Sequence, residues 1–99
     1  MEIRIQSLKF DADVKLIDFI EKKLSKLTKF YDPIQSVEVT LSLRPDYLNK
    51  NVLIKLTVPR HNEIVIERQG TKFEDAVVDS IPLLKDQLIK IKEKREQAR

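Results

Sequence analysis

The sequence predicts an α+β domain in the order β-α-β-β-β-α, a four-stranded sheet with two parallel helices on one face. Three observations carry that prediction. Two stretches repeat their apolar residues at the helical period, and four repeat them at the period of two that marks strands. The chain has 99 residues, enough for one core and a two-layer sandwich but little more. We therefore read residues 1–99 as a single domain.

The first strand covers residues 2 to about 9, where Ile3 and Ile5 alternate with Arg4 and Gln6. Asp13 is placed to cap a helix over residues 14 to about 30, with Leu16, Ile20, Leu24 and Leu27 on one face. Tyr31-Asp32-Pro33 ends it, because a residue before proline avoids the helical region. Val37, Val39, Leu41 and Leu43 share one face of a second strand, and Val52, Ile54, Leu56 and Val58 one face of a third. Pro59-Arg60-His61-Asn62 supplies a turn into a fourth strand with Ile64, Ile66 and Arg68 on one parity, ended by Gly70, the only glycine. Thr71-Lys72-Phe73-Glu74 fits a capping box. The long helix after it buries Phe73, Val77, Ile81, Leu84, Leu88 and Ile91. Pro82 interrupts that pattern. It predicts either a kink over residues 78–81 or two helices with Pro82 in the first turn of the second.

If the first two strands are parallel neighbours and the last three form a meander, strands one, two and four point the same way. Both helices then return in the opposite direction, and their C-terminal halves meet at one end. A helix of about 25 residues spans roughly 37 Å, whereas an eight-residue strand covers about 27 Å. The last helix should overhang the sheet.

A net charge of +3 and a pI near 9.2 say less than the distribution of charge. Residues 15–29 hold Lys15, Lys22, Lys23, Lys26 and Lys29 against Asp18 and Glu21. Residues 85–99 hold Lys85, Lys90, Lys92, Lys94, Arg95 and Arg99 against Asp86, Glu93 and Glu96. Each segment nets +3, which leaves −3 for the rest. On the first helix Lys15, Lys22, Lys26 and Lys29 fall within about 60°. The bland explanation is a solvated face whose late cations complement the helix dipole, and Glu74, Asp75 and Asp79 at the start of the last helix suit it too. Two parallel helices with their cations at one end favour a polyanion, bound through phosphates. There is no Trp, and Phe10, Phe19, Phe30 and Phe73 read as core. Base-stacking platforms are therefore not expected, and recognition of folded RNA by shape is. Val78, Pro82 and Ile89 lie within about 40° of one another off the core stripe. They read either as an edge covered by the first helix or as a protein-contact patch.

Catalysis is not expected. One histidine, His61, in a turn and no cysteine leave no nucleophile–base pair and no zinc site. A single glycine excludes phosphate-binding glycine loops. No metal or cofactor is called for. No apolar run approaches the roughly 20 residues of a membrane span, and the N-terminus lacks a signal-peptide layout. A cytoplasmic protein is expected.

The start MEIRIQSLKF, the segment KKLSKLTKFYD from residue 22 with Ile34 beyond it, and the stretch from Gly70 through FEDAVVDSI to QLIKIKEK carry a family resemblance. Together they resemble the ribosome hibernation promoting factor and ribosome-associated inhibitor family, in a short form of the sigma-54 modulation protein type. The resemblance covers nearly the whole chain in the same element order. It implies a fold similar to a double-stranded RNA-binding domain and a protein that is monomeric off the ribosome. It further implies binding to the small ribosomal subunit, on rRNA in the channel that otherwise holds mRNA and tRNA, with translation inhibited and inactive ribosomes stabilised in stationary phase or stress. The rRNA-contacting positions it implies are Lys22, Lys23, Lys26 and Lys29, with Lys90, Lys92, Lys94 and Arg95. Pro82 departs from the family pattern, in which this helix continues. A chain ending at Arg99 has no C-terminal dimerisation domain, so a separate ribosome-dimerising protein is the implied helper. A generic duplex-RNA binder and a protein-interaction module are the competing readings.

Overall fold

A computed structural model describes residues 1–31 and 33–97, with side chains in the last helix described through Lys94. The elements are β1 (Glu2–Ser7), α1 (Val14–Ser25), a 3₁₀ helix η1 (Lys26–Lys29), β2 (Ser36–Leu43), β3 (Lys50–Thr57), β4 (Ile64–Gly70) and α2 (Phe73–Gln97). The sheet order is β1-β2-β3-β4. β1 pairs parallel with β2, Ile3 beside Val37 and Ile5 beside Val39, and the other two pairings are antiparallel. This is the predicted topology. β1 and β4 are the edges.

Both helices cover one face, because the apolar parity of the central strands points one way. Val37, Val39, Leu41, Val52, Ile54, Leu56 and Val58 are buried there against Ile20, Leu24, Leu27, Val77, Leu84 and Leu88. Burying such a side chain is worth about 1.5–3 kcal/mol, so these positions dominate folding. The helices run parallel. Phe10, just before α1, stacks on Phe73 at the start of α2 with centroids 5.2 Å apart, and Lys85 of α2 lies over Phe30 after η1.

Asp13 caps α1 as predicted, its Oδ1 accepting from the Leu16 amide at 2.8 Å. The first helix does not stay α-helical to residue 30. Its last turn tightens into η1, where the Ser25 and Thr28 hydroxyls donate back to the Lys22 and Ser25 carbonyls, each at 3.0 Å. Bonds to the residue three back compete with the i−4 ladder and suit the tighter helix. The helix-ending role assigned to Asp32 falls outside the described residues.

α2 also departs from expectation. The capping box is not formed: the Ala76 amide donates to the Lys72 carbonyl at 3.3 Å, so Lys72 caps the helix and Thr71 lies outside it. The helix then runs unbroken for 25 residues with Pro82 inside, not as two helices. The carbonyl that loses its partner to Pro82 belongs to Val78, and both residues are exposed, so water can take the vacant bond. Two small residues of the buried face, Ala76 and Ser80, let α2 lie close to the sheet. The Ser80 hydroxyl is satisfied by the Ala76 carbonyl at 2.8 Å. Ile91 is the last buried residue described, and the molecule measures 47 × 24 × 18 Å, so the end of α2 projects as predicted.

The β3–β4 turn is closed by the His61 amide on the Val58 carbonyl at 3.3 Å, with Arg60 at φ 63°. Proline followed by a positive-φ residue is the type II pattern, with arginine where glycine is usual. Among the described residues no helix is long and apolar enough to cross a membrane.

Candidate nucleic-acid interface

The lysines on the first helix are brought together by the switch from α to 3₁₀ geometry. In a 3₁₀ turn residues three apart eclipse, which stacks Lys29 on Lys26. Lys23, Lys26 and Lys29 then line a hollow of about 280 Å³ between η1 and α2, floored by Leu27, Phe30 and Ile81. Two adjoining hollows share Lys29 and Phe30 and bring in Lys92 from α2. The three adjoin along the α1–α2 seam, walled mainly by lysine with Glu93 beside Lys92, and floored by apolar carbon.

Its cations are held by packing and not by ion pairs. Lys23 Nζ lies 5.5 Å from the Phe19 ring centroid, and Lys85 Nζ lies 4.8 Å from that of Phe30. Such contacts are worth about 0.5–1 kcal/mol at exposed sites. Among the described residues the salt bridges join Arg4 to Glu2 and Glu38, and Arg44 to Glu67; no lysine of the groove is neutralised. The hydrogen bond to Arg4, more than its charge, holds the Glu2 carboxyl below its usual range, far from the groove. A wall of uncompensated lysines is a surface waiting for polyvalent anion.

Not every residue singled out from sequence joins this groove. Lys22 turns to the other flank of α1, lining a hollow with Met1, Ile3 and Glu21. On α2, helical geometry puts Lys90 and Lys94 each roughly 160° from Lys92, on the β4 side of the axis. The Arg95 side chain lies outside the described residues. Lys85 was missed as a site residue, though its spacing of seven from Lys92, two helical turns, signals the shared face.

Two further expectations change. Tyr47 is an exposed aromatic, 85% accessible, but it sits in the β2–β3 loop at the opposite end from the lysines. The Val78, Pro82 and Ile89 patch is split. Ile89 is half-buried beside Lys29 and Phe30, as the covered-edge reading has it, whereas Pro82 borders β4. His61 is exposed, its Nδ1 2.7 Å from the Asn62 carbonyl. Among the described residues no cluster of three or more His, Cys, Asp or Glu side chains is placed to hold a metal ion.

No curated protein is significantly similar to the chain in sequence. The fold is shared with solved structures. A ribosomal subunit interface protein from Coxiella burnetii superposes with TM-score 0.83 at 22% identity, over 94% of this chain and 99% of that one. The N-terminal domain of Thermus thermophilus Protein Y superposes with TM-score 0.79 at 21% identity, over 92% of this chain and 99% of that one. Residues 3–96 match the family described as Sigma 54 modulation protein / S30EA ribosomal protein. The chain therefore belongs to the Sigma 54 modulation protein / S30EA ribosomal protein family, whose members are ribosome-associated modulation proteins.

Proposed function

We propose that this protein is a cytoplasmic ribosome hibernation factor, with no catalytic role. It binds rRNA of the small subunit in the mRNA and tRNA channel, blocks translation and stabilises inactive ribosomes in stationary phase or stress. The carrying observation is the groove at the α1–α2 seam, where Lys23, Lys26, Lys29, Lys85 and Lys92 outnumber Glu93 and form no ion pair among the described residues. Lysine is a flexible point charge, suited to phosphate and not to reading base edges. The projecting end of α2 brings Lys90, Lys94 and Arg95 as further contacts, and Lys22 serves from the outer flank of α1. The domain acts as a monomer off the ribosome, and ribosome dimerisation falls to a separate protein.

Changing Lys26, Lys29 and Lys92 together to glutamate should abolish cosedimentation with small subunits while leaving the melting temperature unchanged, because Lys26, Lys29 and Lys92 are exposed. For the unmodified chain, neutralising about six phosphates should give a log–log salt slope of roughly −4 to −5. Retention of the triple variant on the subunit would sink the site assignment. Equal affinity of the unmodified chain for an arbitrary RNA duplex and for small subunits would replace it with general duplex binding.

A further inference from the structure

The lysines of the α1–α2 seam do not form an unbroken strip of charge. On α2, Ile81, Lys85, Ile89 and Lys92 lie at i, i+4, i+8 and i+11, within about 80° of one another around the helix. Lys85 and Lys92 are exposed and the two isoleucines half-buried, so this edge alternates carbon with charge once per helical turn, about 5.4 Å. The facing wall does the same, with exposed Lys26 and Lys29 beside Leu27 and the half-buried Phe30. The groove between α2 and β4 has no such order. There Asp79 and Arg68 balance around Leu48, Pro82 and Leu83, which selects no occupant.

Phe30 is the hub of the seam. Its sequence pattern reads as core, and it does pack against the core cluster, yet it also lines all three lysine hollows. A face of its ring is open to a polar group, since Lys85 Nζ sits 4.8 Å from the centroid. The hollow of about 280 Å³ beside it, floored by Leu27 and Ile81, lies just below the roughly 300–1,000 Å³ of pockets that hold drug-sized molecules. That is the size for one planar ring system and not for a long chain.

From this alternation, and resting on the proposed RNA reading of the same site, we infer that the seam receives an unpaired nucleotide of the bound RNA. Its base stacks on Phe30, and the phosphates flanking it lie on Lys26, Lys29 and Lys92. Each feature selects that occupant. A bare polyphosphate would gain nothing from the apolar floor, and an acyl chain would be interrupted by the lysines. An RNA strand alternates phosphates with flat rings, and single-strand sites join a cationic groove to an aromatic platform in the same way. In a regular duplex the base faces are covered by their neighbours, so the site favours a bulged or looped-out base. Stacking tolerates any base, and no sequence preference follows. Lys85 covers the ring in the free protein and moves to a phosphate as the base takes its place.

The test uses the full chain and two blunt RNA duplexes of equal length, one fully paired and one carrying a single bulged adenine. The bulged duplex should bind about tenfold tighter, within the range for one base–aromatic stack. Phe30→Leu should bring it down to the affinity of the paired duplex, whereas Phe30→Tyr, which keeps the ring, should preserve the difference. A preserved amide spectrum verifies that both variants fold. Nuclear Overhauser contacts should join the Phe30 ring protons to the base protons of the bulged adenine. Small-subunit cosedimentation tests the ribosomal reading and the difference between two free duplexes tests the base pocket, so either can fail alone. Equal affinity of the unmodified chain for the two duplexes would overturn the proposal and leave the phosphate site standing. So would a bulge preference that survives Phe30→Leu, or displacement of the bulged duplex by a free fatty-acid anion, which would assign the hollow to an acyl chain.

Discussion

The two flanks of α2 share one helix and one buried face yet carry their charge differently. Toward α1 the helix presents Lys85 and Lys92 to a wall of lysines from α1 and η1. Toward β4 it presents Asp79, Pro82 and Leu83 to Arg68 and an open strand edge, with Glu67 on the far face of the sheet and paired there with Arg44. The difference teaches that net charge is a poor guide to what this protein binds. Its +3 averages a lysine-rich seam with a flank where Asp79 and Arg68 balance, and each flank would be misread if the other were averaged into it. The low-dielectric core under α2 also keeps the two sets of charge on separate surfaces.

The comparison is broken most completely from beneath. Leu88 is fully buried on the face of α2 that supports both flanks. Leu88→Ala should cost about 2–5 kcal/mol in chemical denaturation. Ribosome binding should then fall with the folded fraction. Full ribosome binding at a reduced folded fraction would mean that the lysine groove does not depend on this core.

Pro82 sharpens it. The residue lines the groove beside β4 and interrupts the hydrogen-bond ladder of α2. Pro82→Ala should stabilise the domain by about 2 kcal/mol, the helix-interior penalty of about 3 kcal/mol less the entropy that proline withholds from the unfolded chain. Ribosome binding should not change, because Pro82 lines none of the three lysine hollows. A drop in the denaturation midpoint would show instead that the pyrrolidine ring packs against the β4 edge strongly enough to offset the missing bond.

How much of this was legible in sequence follows the range of the interactions. Strand parities, the Asp13 cap and the α2 stripe are local periodicities, and they predicted the sheet order, the parallel helices and the projecting end of α2. The 3₁₀ turn was not legible, since over the four residues 26–29 a period of 3.0 is hard to tell from 3.6. Thr71 has the right neighbours for a capping box, but the chain leaves β4 at Gly70 with Lys72 already in the cap position. The groups of lysines were visible as a count and not as a surface. Lys22 and Lys23 are adjacent in sequence and line hollows on opposite flanks of α1, a split set by how the helix rotates onto the sheet. The β4–α2 groove draws on residues from 48 to 83, and nothing local announces it.

The smallest effect concerns Lys85, which the geometry gives two possible roles. With Nζ 4.8 Å from the Phe30 centroid, the ammonium is either a fixture that seals the seam or a cation offered to the groove. Lys85→Met keeps most of the stem and removes the charge. If Lys85 seals the seam, stability should fall by about 0.5–1 kcal/mol and the salt dependence of ribosome binding should stay as it was. If it meets a phosphate, the magnitude of the log–log slope should fall by about 0.9. We expect the second outcome with little loss of stability. Phe30 also borders the hollows that hold Lys29 and Lys92, so a phosphate seated there would draw the ammonium off the ring at small cost. An unchanged slope would confine the polyanion site to Lys23, Lys26, Lys29 and Lys92 and make α1 its principal wall.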